Sequence, residues 1–580
     1  MGWKSHIHFS NSMIKNKYLI CSALAVAAFA VAQLPLASSM QVHHPDERYY
    51  TDAALIMQET GDYMTPRFYS GETRPHKPIL TYWILAASYR MFGISYMASR
   101  LPSIAAGMIL LILTYGIGFA MTRRHDVAFL STCIMETQAV FLLCSNRATP
   151  DIFMTTSLTL VFLGLVMQLR DPKPRVIPIA LILLGSGIGV ITKGLLGLVL
   201  LLYVGYFLRG FLQSRFKWRT VSIIIWFSFI SAWFLLMALE YDASFIYHFL
   251  YDQIFGRLIK GCPLYKPFHI VGYLFLIPAM FLPWLLFFIK PGPRRERLET
   301  ALCKPHSTEV TVMISWCVLC AFIFGMGNKV TPRYVLSTAP LLSVFIANVF
   351  LPPQGSKSEQ NSASARRTPR AFLFVSAAAI AAALLSVPLT GGFSRTQILP
   401  ACCFTIVIAI AMFFAFFAPD GVSTAASWNT LGLSMLAFFP LLAHVPLSGG
   451  VEAELLPVVE RLQEDPLTQG TVLCEVHPSV LSRMRIIAGK SLPVKPARDL
   501  IEEEIPDSAR TRIFPEFSTI MCATSIFERV ETIRLPVSSL ELLDEAMEAT
   551  EVPKSKRFLN FLRTGYPNID YHVEIRTALE

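Results

Sequence analysis

The chain has 580 residues, of which 53% are hydrophobic and only 16% charged, and its mean hydropathy is +0.50. Soluble chains carry about a quarter charged residues, so one soluble globular fold is excluded as a description of the whole. The net charge of +10 is not gathered into a basic cluster, which argues against nucleic acid as a partner. In so apolar a chain, excess Lys and Arg report membrane topology first.

The first apolar block, 18–40, follows Lys4, Lys15 and Lys17. It is too long for the apolar part of a signal peptide and reads as a retained span. Further blocks of the length a bilayer demands, about 20 residues, lie near 100–122, 127–145, 151–169, 175–192, 195–213, 221–239, 270–289, 310–327, 333–351, 371–390, 399–418 and 427–446. The expected fold class is therefore an α-helical polytopic membrane protein of about 13 transmembrane helices. Its membrane domain is 1–446, and a soluble domain follows at 447–580.

Charge tests the count. With the N-terminus inside, the inner loops carry Arg123 and Arg124, then Arg170, Lys173 and Arg175, then Arg209, Arg215, Lys217 and Arg219. Lys290, Arg294, Arg295, Arg297 and Lys304 follow, and then Lys357, Arg366, Arg367 and Arg370. This is the bias expected of cytoplasmic loops. It places 41–99, 240–269 and the tail outside.

The outer loop 41–99 is not featureless. After Asp46-Glu47, the residues Tyr49, Tyr50, Ala53, Ala54 and Met57 recur at helical spacing, and Gly61 is placed to close the helix. The stretch 79–92, with Tyr82, Trp83, Tyr89 and Phe92, is too short to span and reads as an interfacial helix. The tail alternates short strand-like runs (471–476, 518–523) with polar helical stretches (480–488, 540–549), as in a small mixed α/β domain. Most cysteines lie in apolar segments, where a thiol acts as a small hydrophobe. Cys474 and Cys522 in the tail would be able to pair in an oxidising compartment.

Polar groups gather at the outer ends of spans: His43-His44-Pro45-Asp46-Glu47-Arg48-Tyr49 after the first span and Arg147-Ala148-Thr149-Pro150-Asp151 at the start of the fourth. The cations Lys77, Lys193, Arg257, Lys260, Lys329 and Arg333 fall on the same face. Charges at such depth are costly unless they serve a pocket. Head-group anchoring is the competing reading for the cations, and a helix start is the competing reading for Asp46 and Asp151.

An ordered series of motifs then becomes specific. Asp46-Glu47-Arg48-Tyr49, Gly61 through Arg67, Lys77-Pro78-Ile79-Leu80-Thr81-Tyr82-Trp83 and Ser99-Arg100-Leu101-Pro102-Ser103 resemble the opening of polyprenyl-phosphate-sugar glycosyltransferases of the GT-C class. That group includes the lipid A aminoarabinose transferases and the protein O-mannosyltransferases. The series continues with Ala148-Thr149-Pro150-Asp151, Thr192-Lys193-Gly194, Phe255-Gly256-Arg257, Pro283-Trp284 and Lys329 through Tyr334, so that the resemblance covers about 40–345.

The resemblance implies an inverting enzyme acting at the outer face of the plasma (inner) membrane. It would move a sugar from a polyprenyl-phosphate donor to a lipid A-like glycolipid or a protein. Asp46 is then the candidate general base, with Glu47 and Asp151 supporting. Lys77, Arg257, Lys193, Lys329, Arg333 and Tyr334 are candidates to hold the donor phosphate, and Tyr49 and Tyr82 to line the substrate pocket. The family's Glu-Lys-Pro is His76-Lys77-Pro78 here, which weakens any copied metal site. His43, His44 and His76 with Asp46 form an alternative set for a divalent metal. A transporter or flippase is the competing class. Against it, the charges lie at one face rather than at mid-span, and no inverted repeat is visible.

Overall fold

The computed structural model describes residues 2–37, 46–68, 73–74, 77–170, 176–194, 203–207, 231–240, 265–285, 288–289, 292–303, 308–327 and 330–351. It also describes single residues at 227, 247 and 251, short pieces between 402 and 410, and 472–474, 485–489, 494–496, 529–536 and 568–575. The expected spans 195–213, 371–390, 399–418 and 427–446 lie wholly or largely outside these residues, and of 221–239 the structure describes 227 and an apolar helix, Ser231–Glu240.

The described membrane part is helical. Helices α1 (Gly2–Ala37), α2 (Glu47–Thr60), α3 (Leu80–Phe92), α4 (Tyr96–Thr122), α5 (His125–Glu136), α6 (Ala139–Ser145), α7 (Pro150–Leu169) and α8 (Val176–Lys193) follow one another. Later come α9 (Lys266–Ala279), α10 (Pro293–Cys303), α11 (Thr308–Gly325), a 3-10 helix (Pro332–Thr338) and α12 (Ala339–Phe350). Among the described residues, five helices are long and apolar enough to cross a membrane: Asn16–Ala37, Tyr96–Thr122, Pro150–Leu169, Val176–Lys193 and Pro332–Phe350. Ile109 and Ile112, one turn apart on α4, are 50% and 57% exposed. Large apolar side chains left on a span surface fit lipid contact.

The expected span 127–145 is not one straight helix. It is α5 and α6, bent by 71° at Thr137-Gln138. Such a break frees carbonyls inside the bilayer, where each needs a partner. Thr137 donates to the carbonyl of Ile134 at 3.0 Å, the Gln138 amide donates to the same carbonyl at 3.1 Å, and Trp284 donates its indole N–H to Thr137 Oγ1 at 2.9 Å. The expected span 270–289 is likewise interrupted, because α9 ends near Pro278 and a short turn, Leu282–Leu285, follows.

The tightest pair is α7 with α8. A Cβ on Gly164 would lie 2.6 Å from the Pro178 carbonyl oxygen, and one on Gly185 would lie 2.6 Å from that of Ser157. Only glycine permits backbones to approach so closely. The two contacts set an antiparallel register that brings the start of α7 beside the end of α8. Below them, Phe162 meets Trp316 of α11 edge-on at 5.1 Å, inside a core that includes Val161, Ile182, Val312 and Leu341.

The chain divides into two compact units. One comprises Met1–Pro35, Arg74–Thr81 and Pro102–Leu441; the other comprises Leu36–Thr73, Tyr82–Leu101 and Leu442–Glu580. In the second unit, strands β1 (Val472–Cys474), β2 (Val494–Pro496), β3 (Arg529–Pro536) and β4 (Asn568–Ile575) form one sheet in the order β2-β1-β4-β3. β1 pairs in parallel with β2, while β4 runs antiparallel to both β1 and β3. β1 falls within the strand expected at 471–476. The strand expected at 518–523, which holds Cys522, and the helix expected at 540–549 lie outside the described residues.

Candidate active site

The first cluster belongs to the larger unit. Thr149 is extended, Pro150 opens α7, and Asp151 sits in its first turn, where the helix dipole favours an anion. Lys193 occupies the last turn of α8, where the dipole favours a cation. Lys193 Nζ lies 2.5 Å from Asp151 Oδ1, and Arg333 Nε lies 3.6 Å from Asp151 Oδ2. The carboxylate is only 4% exposed, against 14% for Lys193 and 18% for Arg333. Two cations thus share one nearly buried acid and keep their own outer faces wet. Lys193 Nζ also stands 4.6 Å from the centre of the Tyr334 ring, a cation–π contact. Among the described residues Lys193 and Arg333 set two cations against the one Asp151 carboxylate, a balance that suits an anion.

The second cluster belongs to the smaller unit. Asp46 holds the N-cap position of α2 yet makes no side-chain cap bond. Glu47 takes a bidentate grip from Arg100, with Nε and one terminal nitrogen each 3.1 Å from a carboxylate oxygen. Both side chains are almost fully buried. Arg100 also donates to the carbonyl of Leu36 at 3.0 Å and lies over the Tyr96 ring. Planar guanidinium suits this fork geometry. α2 closes at Gly61, whose φ of 73° returns its N–H to the Met57 carbonyl, as the sequence predicts. Asp62 then accepts backbone N–H bonds from Met64 and Thr65 at 3.0 and 3.1 Å. Burial pushes its carboxyl up, but those amides and Arg67 outweigh it and hold the pKa below the usual value.

These positions refine the sequence expectations. Asp151, Lys193, Arg333 and Tyr334 come together. Glu47, expected to support a base, is gripped by Arg100 and through that pair also holds the start of α2. Tyr82, expected to line a pocket, is fully buried with its ring centre 5.3 Å from that of Tyr50, and so packs α3 onto α2. Tyr49 is half-buried beneath the Arg48 guanidinium, which donates to its hydroxyl at 2.7 Å. Lys77 is half-buried just ahead of α3. His43, His44, His76, Arg257 and Lys329 lie outside the described residues, and among the described residues no group of His, Cys, Asp or Glu has the arrangement to hold a metal. Sequence reasoning gave Arg100 no role; an arginine in a motif before a long apolar run, with an acid 53 residues earlier, was the available signal.

The family described as dolichyl-phosphate-mannose-protein mannosyltransferase matches residues 19–250. An uncharacterized protein of Aquifex aeolicus is 27% identical over 324 residues, covering 55% of this chain and 61% of its own. The undecaprenyl phosphate-alpha-4-amino-4-deoxy-L-arabinose arabinosyl transferase of Yersinia pestis is 25% identical over 335 residues, covering 56% and 58%. The match thus spans about three fifths of these curated relatives. The crystal structure of ArnT from Cupriavidus metallidurans bound to undecaprenyl phosphate superposes with a TM-score of 0.61 at 15% identity, covering 97% of this chain and 98% of that one. Its apo form gives 0.58. The fold is thus that of the ArnT crystal structures, a multi-pass membrane architecture. In sequence the chain is similar to protein mannosyltransferases over its first part and to an aminoarabinose transferase over about three fifths of that relative's length.

Proposed function

We propose that the chain is an inverting glycosyltransferase that takes a sugar from a polyprenyl phosphate and delivers it to a lipid A-like glycolipid or a protein at the outer face of the plasma membrane. The observation that carries this reading is the seat formed by Asp151, Lys193, Arg333 and Tyr334. As the bond from the sugar C1 to the phosphate oxygen breaks, its electron pair passes to the phosphate, which becomes a dianion. Cations already oriented by Asp151 stabilise that charge without reorganising. Lys77, Arg257 and Lys329 are assigned to the same task by the resemblance. The acceptor hydroxyl attacks C1 and gives its proton to the Asp46 carboxylate. The resemblance assigns this role to Asp46, at the N-cap position of α2. Asp151, committed to Lys193, acts as the counter-charge that aims the cations.

The Lys and Arg of the expected inner loops support an N-terminus inside and a tail outside. The series of 13 spans and an outer mixed domain from 447 onward are part of the same proposal. A transporter or flippase would need charges along a path rather than at one end of the bundle. Mass spectrometry of envelope lipids and glycoproteins from a deletion strain tests the proposal. Loss of one sugar from lipid A-like lipids, or from proteins, supports it and names the acceptor; unchanged glycolipids and glycoproteins would refute it.

A further inference from the structure

The Arg333–Tyr334 end of the seat hangs on a segment that enters its 3-10 helix from Thr331, an extended residue with no side-chain cap bond. What holds this entry is α9. The Tyr273 hydroxyl accepts the N–H of Thr331 at 2.8 Å, and one turn earlier His269 Nδ1 donates to the carbonyl of Gly327 at 2.9 Å. Residues four apart lie on one helix face, so a single face of α9 grips both points. The Tyr273 ring is fully buried and lies 6.2 Å from Phe324, which in turn lies 5.1 Å from Tyr334. α9 is itself pressed onto α11: a Cβ on Gly325 would lie 2.7 Å from the Ile270 Cα.

We propose that Tyr273, aided by His269, is a positioning residue that latches the Thr331–Tyr334 segment so that Arg333 and Tyr334 meet Asp151 and Lys193 and complete the phosphate seat. This rests on the phosphate-binding reading above. Neither residue touches the donor. Removing the hydroxyl leaves the part-buried Thr331 N–H without this acceptor, the costly half of a lost hydrogen bond.

The test compares Tyr273→Phe with Tyr203→Phe in the full chain in nanodiscs, with undecaprenyl phosphate as the probe. Tyr203 bonds to the carbonyl of Val312 and to Ser315, so its loss reproduces a missing buried hydroxyl without touching the latch. Tyr273→Phe is expected to bind the lipid about tenfold more weakly, a drop that corresponds to one unsatisfied bond. Amide exchange at 330–338 should be faster in this variant, and Tyr203→Phe should match the wild type in both measurements. Equal lipid binding by Tyr273→Phe and wild type, or equal weakening in both variants, overturns the latch. If the wild type itself binds no undecaprenyl phosphate, the phosphate reading fails and the inference falls with it, whatever the exchange rates.

Discussion

Lys193 and Asp151, 42 residues apart in sequence, meet at 2.5 Å because α7 and α8 run antiparallel with glycines at both of their close contacts. Breaking a buried pair from one side strands a charge, which costs about 3–5 kcal/mol, whereas removing both partners is far milder. Asp151→Asn alone should therefore lower the unfolding midpoint more than Asp151→Asn combined with Lys193→Met. Both proteins should lose transfer. Thermal unfolding in detergent with paired activity assays checks this, and a double variant less stable than the single one would show that the pair is not coupled.

Gly185 is the hinge pin of that register. A β-branched side chain there would press on the Ser157 carbonyl and Val161, forcing the helices apart. Gly185→Val is expected to destabilise the protein by about 1–3 kcal/mol or more and to reduce transfer, while Gly205→Val, at a position with open space around its Cα, should be tolerated. Expression level and unfolding midpoint separate the two.

Arg100 and Glu47 supply the matching test in the smaller unit. Lysine cannot reproduce the two-pronged bond and the added reach to the Leu36 carbonyl. Arg100→Lys should cost about 2 kcal/mol or more, as lost bonds to a charged partner do. A midpoint unchanged from the wild type would contradict the structural role given to Glu47.

Much of this was legible in the sequence. Gly61 announced the end of α2 and Pro150 the start of α7, because both act through local backbone geometry. Asp151, Lys193, Arg333 and Tyr334 were singled out by type and by the resemblance. Their mutual contact was not readable, since it depends on Gly164 and Gly185 setting a register between helices. The bend at Thr137-Gln138 was hidden for a related reason: the stretch is uniformly apolar, and polar side chains repair the break in place. The packing of Tyr82 on Tyr50 was equally unreadable, because an aromatic residue in a motif looks the same in sequence whether it lines a pocket or packs on a neighbour.

The loop after α2 carries a pH signature. Asp62 has a folded pKa below its unfolded value, so it binds fewer protons when folded. Its contribution is fully present above the unfolded pKa and fades as pH falls through the folded one. Asp62→Asn should therefore narrow the stability gap between neutral and acidic pH. Unfolding midpoints measured from pH 7 down to about pH 3, a range bracketing the ordinary aspartate pKa, would show parallel curves if Asp62 has no such part.

The central claim is transfer from a polyprenyl phosphate with Asp46 as the base. The direct measurement is release of undecaprenyl phosphate from an undecaprenyl-phosphate sugar by purified protein supplied with acceptor lipid or protein, wild type against Asp46→Asn. Asparagine caps a helix about as well as aspartate, and α2 draws no side-chain cap bond from Asp46, so the variant should fold normally. The account predicts release by the wild type and none by Asp46→Asn present in equal amount. Equal release by both, or none from a folded wild type with either acceptor, would contradict it.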